Sequence, residues 1–259
     1  MSHSDAHIHT SLEAGIYQIR MNRADKKHAL THAMYTRLHE AVSEAEADPQ
    51  VRVIFIGGNE GIFTSGNDMK DFLQNPPGDD DAPVFILLQK LLYASKPIVA
   101  AVSGPAVGIG TTMLLHCDLV YADNTARFRL PFVSLGLCPE AGSSVLLPML
   151  AGYHRAAELL LLGEVFDVAT ARDIGLVNSI VPAAELQEYA LGRARQLAAQ
   201  PPASVRLTKA LMKHAQKSTV AEAMTRESGH FVQRLHSPEA KEAMSAFMEK
   251  RLPDFSRFE

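Results

Sequence analysis

Short apolar runs rich in β-branched residues alternate with stretches of helical periodicity through the first half of the chain. The runs predict β-strands at residues 16–21, 51–56, 98–102 and 119–121. Apolar positions at helical spacing predict helices at residues 30–47, 83–93, 109–116 and 143–150. Because strands and helices alternate, the pattern favours the α/β class.

The pattern changes after about Gly152, where strand signals stop and helical periodicity continues. The helices predicted there lie at residues 155–162, 169–175, 185–199, 203–216, 220–235 and 238–250. Breaks fall at Gly163 and at Pro201-Pro202. We therefore predict an α/β core over residues 1–200 and a helical region over residues 201–259 that covers the core or a neighbouring subunit.

Two polar segments are expected to lie outside the packed core. Residues 1–10 contain His3, His7 and His9 but no apolar centre, which predicts a frayed tail rather than a targeting peptide. Residues 75–81 combine proline, glycine and aspartate, which predicts a mobile surface loop near the functional site.

Composition limits the function classes. The chain has 259 residues, of which 47% are hydrophobic and 21% charged, as in globular proteins. A net charge of −4 with scattered Lys and Arg argues against a nucleic-acid partner. Polar residues such as Gln89 and Lys96 interrupt the richest apolar stretch, so we expect no membrane span. Two cysteines make no disulfide framework, and the cytoplasm is the expected location.

Several catalytic signatures are absent from the sequence. It has no nucleophile elbow, no phosphate-binding loop, no H-E-x-x-H and no C-x-x-C. Gly108-Ile109-Gly110 is only a fragment of a dinucleotide-binding motif. His28 and His32 lie four residues apart on a predicted helix, but nothing nearby in sequence adds a third ligand, so we interpret them as surface histidines and expect no metal.

Two glycine-containing turns each follow a predicted strand and precede a helix. They lie at residues 64–68 and 104–110. Two backbone N–H groups that converge at such turns form an oxyanion hole, which stabilises charge on a carbonyl oxygen. The alternative is that both are ordinary strand-to-helix turns, which are common in α/β folds.

One carboxylate, Glu140, lies among apolar and small residues just before the helix predicted at residues 143–150. Desolvation in such surroundings would raise its pKa toward the range useful for proton transfer near neutral pH. The alternative is a first-turn glutamate that interacts with the helix dipole.

Together, these segments resemble the crotonase superfamily, also called the enoyl-CoA hydratase/isomerase family. The resemblance covers nearly the whole chain and rests on residues 65–68, 97–108 and 139–142, in that order and spacing. It implies a crotonase-like spiral of ββα units with a helical C-terminal region used for trimerisation. It also implies an acyl-CoA substrate, with coenzyme A as part of the substrate and no other cofactor, and a homotrimer or hexamer.

By this resemblance, the oxyanion hole consists of the backbone N–H groups of Asn67 and Ile109. Hydratases of the family use two glutamates, and the aligned positions here hold Thr112 and Phe132, neither of which can transfer a proton in that way. Glu140 matches the single base of one group of Δ3,Δ2-enoyl-CoA isomerases. The resemblance therefore implies an enoyl-CoA isomerase with Glu140 as its base.

The resemblance also implies a set of substrate contacts, and two alternative functions stay open. The implied contacts are Lys26, Lys27, Ala29, Ser65, Gly66, Asp68, Gly108, Phe132 and Leu135. Lys250 and Arg251 could also reach the phosphates of CoA, unless they are solvated surface charges. The alternatives are an enoyl-CoA hydratase and a catalytically weak acyl-CoA-binding or RNA-associated relative. The acidic balance argues against RNA, and the retained Glu140 against an inactive site.

Overall fold

Two sheets form the centre of the fold in this computed structural model, which describes residues 6–59, 61–78 and 81–258. The strands are β1 (Ile8–Glu13), β2 (Ile16–Met21), β3 (Val53–Gly58), β4 (Ile98–Val102), β5 (Pro105–Val107), β6 (Leu119–Asp123), β7 (Arg127–Arg129), β8 (Val165–Asp167) and β9 (Ser179–Val181). The larger sheet has the order β1-β2-β3-β4-β6-β9 and is parallel apart from the β1–β2 hairpin. The smaller sheet has the order β5-β7-β8.

Helices surround the sheets and dominate the C-terminal half. They are α1 (His32–Ala47), α2 (Met69–Gln74), α3 (Pro83–Tyr93), α4 (Ile109–Thr112), α5 (Ser143–Ala151), α6 (Tyr153–Leu162), α7 (Val168–Asp173), α8 (Leu186–Ala198), α9 (Pro202–Leu235) and α10 (Pro238–Glu249). Short 3₁₀ turns lie at Ala24–Lys26, Met113–His116 and Val133–Leu135. The mixed α/β class with a helical C-terminal region is therefore confirmed.

The larger sheet is covered on both faces, which explains why β3 is apolar throughout and fully buried. Successive side chains of a strand point to opposite faces. Ile54 and Ile56 accordingly join the main core with α1 and α3, whereas Val53 and Phe55 join a second core under α8. The strand ends are thereby fixed in place, and the turns that build the site follow these ends.

The predicted N-terminal tail is wrong over residues 8–10. These residues belong to β1, where Ile8 is buried and pairs with Met21. Ala14 and Gly15, both with positive φ, form the tight turn to β2. As an edge strand, β1 needs few apolar residues, and its polar composition therefore suggested a tail. His3 lies outside the described residues.

Two further expectations for the second half of the chain are wrong. Strands do continue after Gly152, as β8 and β9, but three residues each are too few to show a period. The helices predicted at 203–216 and 220–235 are one helix, α9, because the polar residues between them face solvent and include no helix breaker. A boundary at residue 200 between core and C-terminal region remains a prediction.

The polar loop begins after α2, and its Asn75 and Pro77 border a small cavity that Tyr35 and Asn67 also line. The predicted mobility of residues 75–81 remains untested, and Asp79 and Asp80 lie outside the described residues. Across the part of the chain that the structure describes, no helix is both long and apolar enough to cross a membrane.

Candidate active site

A cavity of about 810 Å³ lies between the turns of the α/β region and the C-terminal helices α9 and α10. This volume suits a small-molecule ligand. Of the residues predicted to act on or bind a substrate, its wall contains Lys26, Ala29, Ser65, Gly66, Asn67, Asp68, Gly108, Ile109, Phe132, Leu135 and Glu140. Lys27 is not in the wall: its side chain is exposed, and its carbonyl accepts a hydrogen bond from the N–H of Ser65.

The turn after β3 leaves the backbone amide of Asn67 free for a ligand. Leu30 donates its N–H to the carbonyl of Gly66 at 2.8 Å, and its own carbonyl accepts the N–H of Asp68 at 2.9 Å. Alternate amides of an extended segment point in opposite directions, so the N–H of Asn67 points away from Leu30. It has no hydrogen-bond acceptor among the described residues. The Tyr35 hydroxyl donates to Asn67 Oδ1 at 2.5 Å, which holds the Asn67 side chain.

The turn before α4 presents a second backbone amide, that of Ile109. Gly108 has φ +56° and ψ −118°, a conformation that favours glycine. Its carbonyl accepts the N–H groups of Thr111 and Thr112, and its N–H donates to the carbonyl of Arg129. The N–H of Ile109, at the first position of the helix, has no acceptor in the described part of the chain. The Ile109 side chain is buried, so only its backbone can serve a ligand.

The two turns pack directly against each other. Gly66 has φ +86°, and a Cβ on it would lie 2.6 Å from the carbonyl oxygen of Val107. A Cβ on Gly110 would lie 2.7 Å from Cγ2 of Thr64. A parallel bridge between Thr64 and Ala106 joins the two segments. The two amides are therefore held by a rigid scaffold, as a preorganised oxyanion hole requires.

Glu140 supplies a buried carboxyl to the wall of this cavity. Its side chain also lines a smaller cavity of about 130 Å³ between α3 and α9. Burial raises the pKa of Glu140 to about 7, the negative charge of Glu227 adds to the rise, and a hydrogen bond from Thr112 opposes it. Both protonation states are thus accessible near neutral pH, which suits a group that accepts and returns a proton.

The other carboxylate of the cavity wall, Asp68, has a structural task. Its Oδ2 pairs with Arg23 at 2.7 Å, and its Oδ1 accepts the N–H groups of Lys70 and Asp71 at the start of α2. Partial burial opposes ionisation, but the hydrogen bonds from Arg23 and the backbone lower the pKa of Asp68 below its usual range. Among the described residues of the wall, Glu140 is therefore the one carboxyl that titrates near neutrality.

Thr112 and Phe132, which the sequence resemblance aligns with the two glutamates of hydratases, have different surroundings. The fully buried Thr112 donates its hydroxyl hydrogen to Glu140 Oε1 at 3.3 Å. Phe132 is 4% exposed and lines the larger cavity. Thr112 thus orients the Glu140 carboxyl, and Phe132 fills space in the cavity wall.

Exposed basic residues form part of the cavity wall. Lys26, Lys70 and Arg251 line it, and Lys250 does not. Arg251 is oriented by Glu242 at 2.5 Å, and this ion pairing holds the pKa of Glu242 at about 2. These cations suit an anionic group such as a phosphate.

The interpretation of His28 as a surface residue is wrong. His28 is fully buried, and its Nδ1 lies 3.0 Å from the carbonyl oxygen of Ile62. The helix begins only at His32, so the two histidines do not share a helix face. Among the described residues, no cluster of three or more His, Cys, Asp or Glu could hold a metal ion.

Three contributors to the site carried no clear signal in the sequence. Tyr35 lies at helical spacing with core residues of α1, so its hydroxyl contact to Asn67 could not be anticipated. Glu227 occupies a polar stretch of α9 and accepts the N–H of Gly142, and His116 lies in a short 3₁₀ turn with its Nε2 beside the carbonyl oxygen of Ala141. Each acts through a contact between segments far apart in the chain.

Comparisons with known proteins identify the family to which the chain belongs. The family model described as "Enoyl-CoA hydratase/isomerase" matches residues 11–257. The chain is 33% identical to "Probable enoyl-CoA hydratase echA8" of Mycobacterium leprae, over 92% of this chain and 93% of that protein. It is 34% identical to "Enoyl-CoA delta isomerase 2" of Rattus norvegicus, over 92% of this chain and 62% of that protein.

Among solved structures, OdaA of Pseudomonas aeruginosa superposes with a TM-score of 0.92 and is 47% identical, covering 94% of this chain and 99% of that chain. Together with the family match, this similarity confirms the crotonase-like fold that the sequence motifs implied.

Proposed function

The chain belongs to the enoyl-CoA hydratase/isomerase family, and we propose that it is an isomerase that moves the double bond of a 3-enoyl-CoA to the 2-position. The observation that carries this proposal is that Glu140 is the one carboxyl of the described cavity wall that titrates near neutral pH, with a pKa of about 7. Coenzyme A is part of the substrate, and the reaction needs no further cofactor.

The oxyanion hole holds the charge that develops during this reaction. The thioester oxygen of the substrate would accept hydrogen bonds from the N–H groups of Asn67 and Ile109, which lack acceptors within the described residues. When a proton leaves C2, negative charge moves onto this oxygen and strengthens both hydrogen bonds. A donor of this kind contributes about 10²–10³ in rate.

Glu140 performs both proton transfers. As a carboxylate it takes a proton from C2, and the electron pair of the C2–H bond forms a dienolate with the thioester. As a carboxylic acid it returns the proton to C4, and the double bond then lies between C2 and C3. No atom is gained or lost, so one carboxyl suffices, and a pKa of about 7 gives ready access to both forms.

The neighbours of Glu140 favour isomerisation over hydration. Hydration needs one group that activates water and another that delivers a proton. At the two positions that the resemblance aligns with the glutamates of hydratases, this chain has Thr112, which donates a hydrogen bond to Glu140, and the buried aromatic side chain of Phe132. By filling this space, Phe132 keeps water away from the reacting atoms and strengthens the interactions with the oxyanion.

The outer cavity would hold the coenzyme A moiety. Lys26, Lys70 and Arg251, which line this cavity, would contact its phosphates, and Ser65 and Gly66 would lie beside the pantetheine arm. As expected from the sequence resemblance, we also propose that the chain assembles as a homotrimer or hexamer. We also propose a cytoplasmic location, since two free cysteines fit a reducing compartment.

Hydration is the second candidate, since the relative from M. leprae carries the name of a hydratase. A paired assay separates the two. Purified protein is given a 3-enoyl-CoA in one assay and crotonyl-CoA in the other, at matched concentrations. We expect fast formation of the 2-enoyl isomer and negligible hydration. Efficient hydration would contradict the argument from a single carboxyl.

A further inference from the structure

The turn that carries Glu140 has a backbone conformation that needs support from elsewhere. Ala141 and Gly142 follow it with φ of +62° and +71°, two consecutive left-handed residues of which the first has a side chain. The carbonyl of Glu140 accepts the N–H of Ser143 at 3.0 Å and its hydroxyl at 2.6 Å. Since the turn sets the direction of the Glu140 side chain, any shift of the turn displaces the carboxyl.

Glu227 of α9 holds this turn from one side. Its side chain is 6% exposed, and its two oxygens accept the N–H of Gly142 at 2.6 Å and the N–H of Ser144 at 3.0 Å. Gly142 is the N-cap of α5 and has no side chain to cap the helix, so Glu227 takes over this task from a distant segment. Burial raises the pKa of Glu227 above its usual value, and the hydrogen bonds from Ser144 and Gly142 at the helix terminus oppose this rise by favouring the ionised form.

His116 holds the same turn at a neighbouring position. It is 1% exposed, and its Nε2 lies 2.8 Å from the carbonyl oxygen of Ala141. Because a carbonyl oxygen only accepts, Nε2 carries the hydrogen. Burial lowers the pKa of His116 to about 4, so the ring remains a neutral donor at neutral pH.

We propose that Glu227 and His116 are positioning residues, which fix the turn of residues 139–142 and thereby aim the Glu140 carboxyl at the substrate. Glu227 binds the N–H groups of Gly142 and Ser144, and His116 binds the carbonyl oxygen of Ala141. This inference rests on the proposed function, because the aim of Glu140 matters only if Glu140 transfers the proton.

Glu227 has a second, electrostatic effect on Glu140. Its negative charge disfavours ionisation of Glu140 and adds to the rise in pKa that burial causes. Other titratable groups also lie near these side chains. Tyr35 of α1 lies near Glu140, Tyr93 of α3 lines the smaller cavity with it, and Cys138 of the same loop lies near both carboxyls. Arg226 lies near Glu227, and Lys209 and Lys213 of α9 lie near His116. Burial raises the pKa of Cys138 to about 11 and that of Tyr35 well above its ordinary value, so both are uncharged near neutral pH.

The test compares Glu227→Gln with the wild type over about pH 5 to pH 9. Glutamine retains one acceptor oxygen but turns an NH₂ group toward the second N–H, and it removes the negative charge. We expect kcat to fall about tenfold or more with KM unchanged, and the acidic limb of kcat/KM to move to lower pH. Glu222→Gln, the same substitution at an exposed position of α9, serves as the control and should leave both unchanged.

Two more comparisons separate geometry from charge. Glu227→Asp retains the charge but is too short to reach both N–H groups, so kcat should fall while the acidic limb stays in place. His116→Gln keeps a donor for the Ala141 carbonyl and should retain most of the activity, whereas His116→Leu should lose kcat without moving the limb. Thermal unfolding of each variant verifies that it is folded.

The proposal is overturned if Glu227→Gln folds and matches the wild type in kcat and in the position of the acidic limb. It is also overturned if His116→Leu keeps full activity. An inactive wild type would instead refute the proposed function. In that case, infrared titration of the Glu140 carboxyl in wild type and Glu227→Gln still tests the electrostatic effect of Glu227, which is refuted if the two titrate alike.

Discussion

Replacement of Thr112 by valine tests how the surroundings of Glu140 set its proton affinity. Valine keeps the branched shape but lacks the hydroxyl that donates to Glu140 Oε1 at 3.3 Å. That hydrogen bond favours the ionised carboxylate, so its loss raises the pKa of Glu140 above its value of about 7. A new methyl group beside the carboxylate acts in the same direction, because it cannot solvate the charge.

The size of this effect follows from the geometry. Hydrogen bonds to charged groups contribute about 1.5–3 kcal/mol, but 3.3 Å is long for an O–H···O contact. We therefore expect about 1.4 kcal/mol or less, which corresponds to an increase of up to about one pKa unit. At about pH 6, kcat/KM of Thr112→Val should thus fall by up to about tenfold, and above about pH 9 it should approach the wild-type value.

The assay is the pH profile of kcat/KM for conversion of a 3-enoyl-CoA. Thr219→Val, at an exposed position of α9, is the matched control and should retain the wild-type profile. If the acidic limb of Thr112→Val stays in place or moves to lower pH, the assignment of this limb to Glu140 under control of Thr112 is refuted.

Three further predictions address the scaffold, the substrate and stability. Gly66→Ala places a Cβ 2.6 Å from the Val107 carbonyl oxygen. The resulting displacement of the Asn67 amide should lower kcat by about 10²-fold. Gly229→Ala, whose Cβ would meet no neighbouring atom within 4 Å, is the control and should leave kcat unchanged. Lys70→Ala should raise KM several-fold and weaken its dependence on salt, as steady-state assays at two ionic strengths would show; an unchanged KM would remove Lys70 from the phosphate site. Because the pKa of Glu140 is raised in the folded protein, its ionisation lowers the free energy of unfolding by about 3 kcal/mol above pH 7 and by little below the unfolded pKa. Glu140→Gln should therefore be more stable than the wild type above pH 7. Denaturant unfolding above pH 7 and below the unfolded pKa should show this loss of stability only in the wild type.

The sequence predicts the parts of the fold and site that follow from local patterns. Strands β2, β3, β4 and β6 each have enough apolar residues to show their character, and they are confirmed with small changes at their ends. The raised pKa of Glu140 also follows from a local feature, its apolar neighbours in sequence. By contrast, β8 and β9 are too short to show a period and are strands only because partner strands pair with them.

Contacts between distant segments could not be predicted in this way. Glu227 and Gly142 are 85 residues apart in the chain, and nothing in the polar sequence around Glu227 distinguishes it from an exposed glutamate such as Glu222. The burial of His28 could not be predicted for a related reason: it depends on the loop over residues 62 and 63, whose carbonyl oxygens accept hydrogen bonds from the His28 ring. The roles of the predicted site residues remain predictions, although the structure brings nearly all of them to one cavity.

The most direct test of the central claim is turnover and binding by Glu140→Gln. Glutamine preserves the size of the side chain and removes the one carboxyl that titrates near neutral pH among the described residues of the cavity wall. If Glu140 transfers the proton, kcat for isomerisation of a 3-enoyl-CoA falls by about 10³-fold or more, while the Kd for the acyl-CoA product changes little. Turnover close to that of the wild type would contradict the account and require another base.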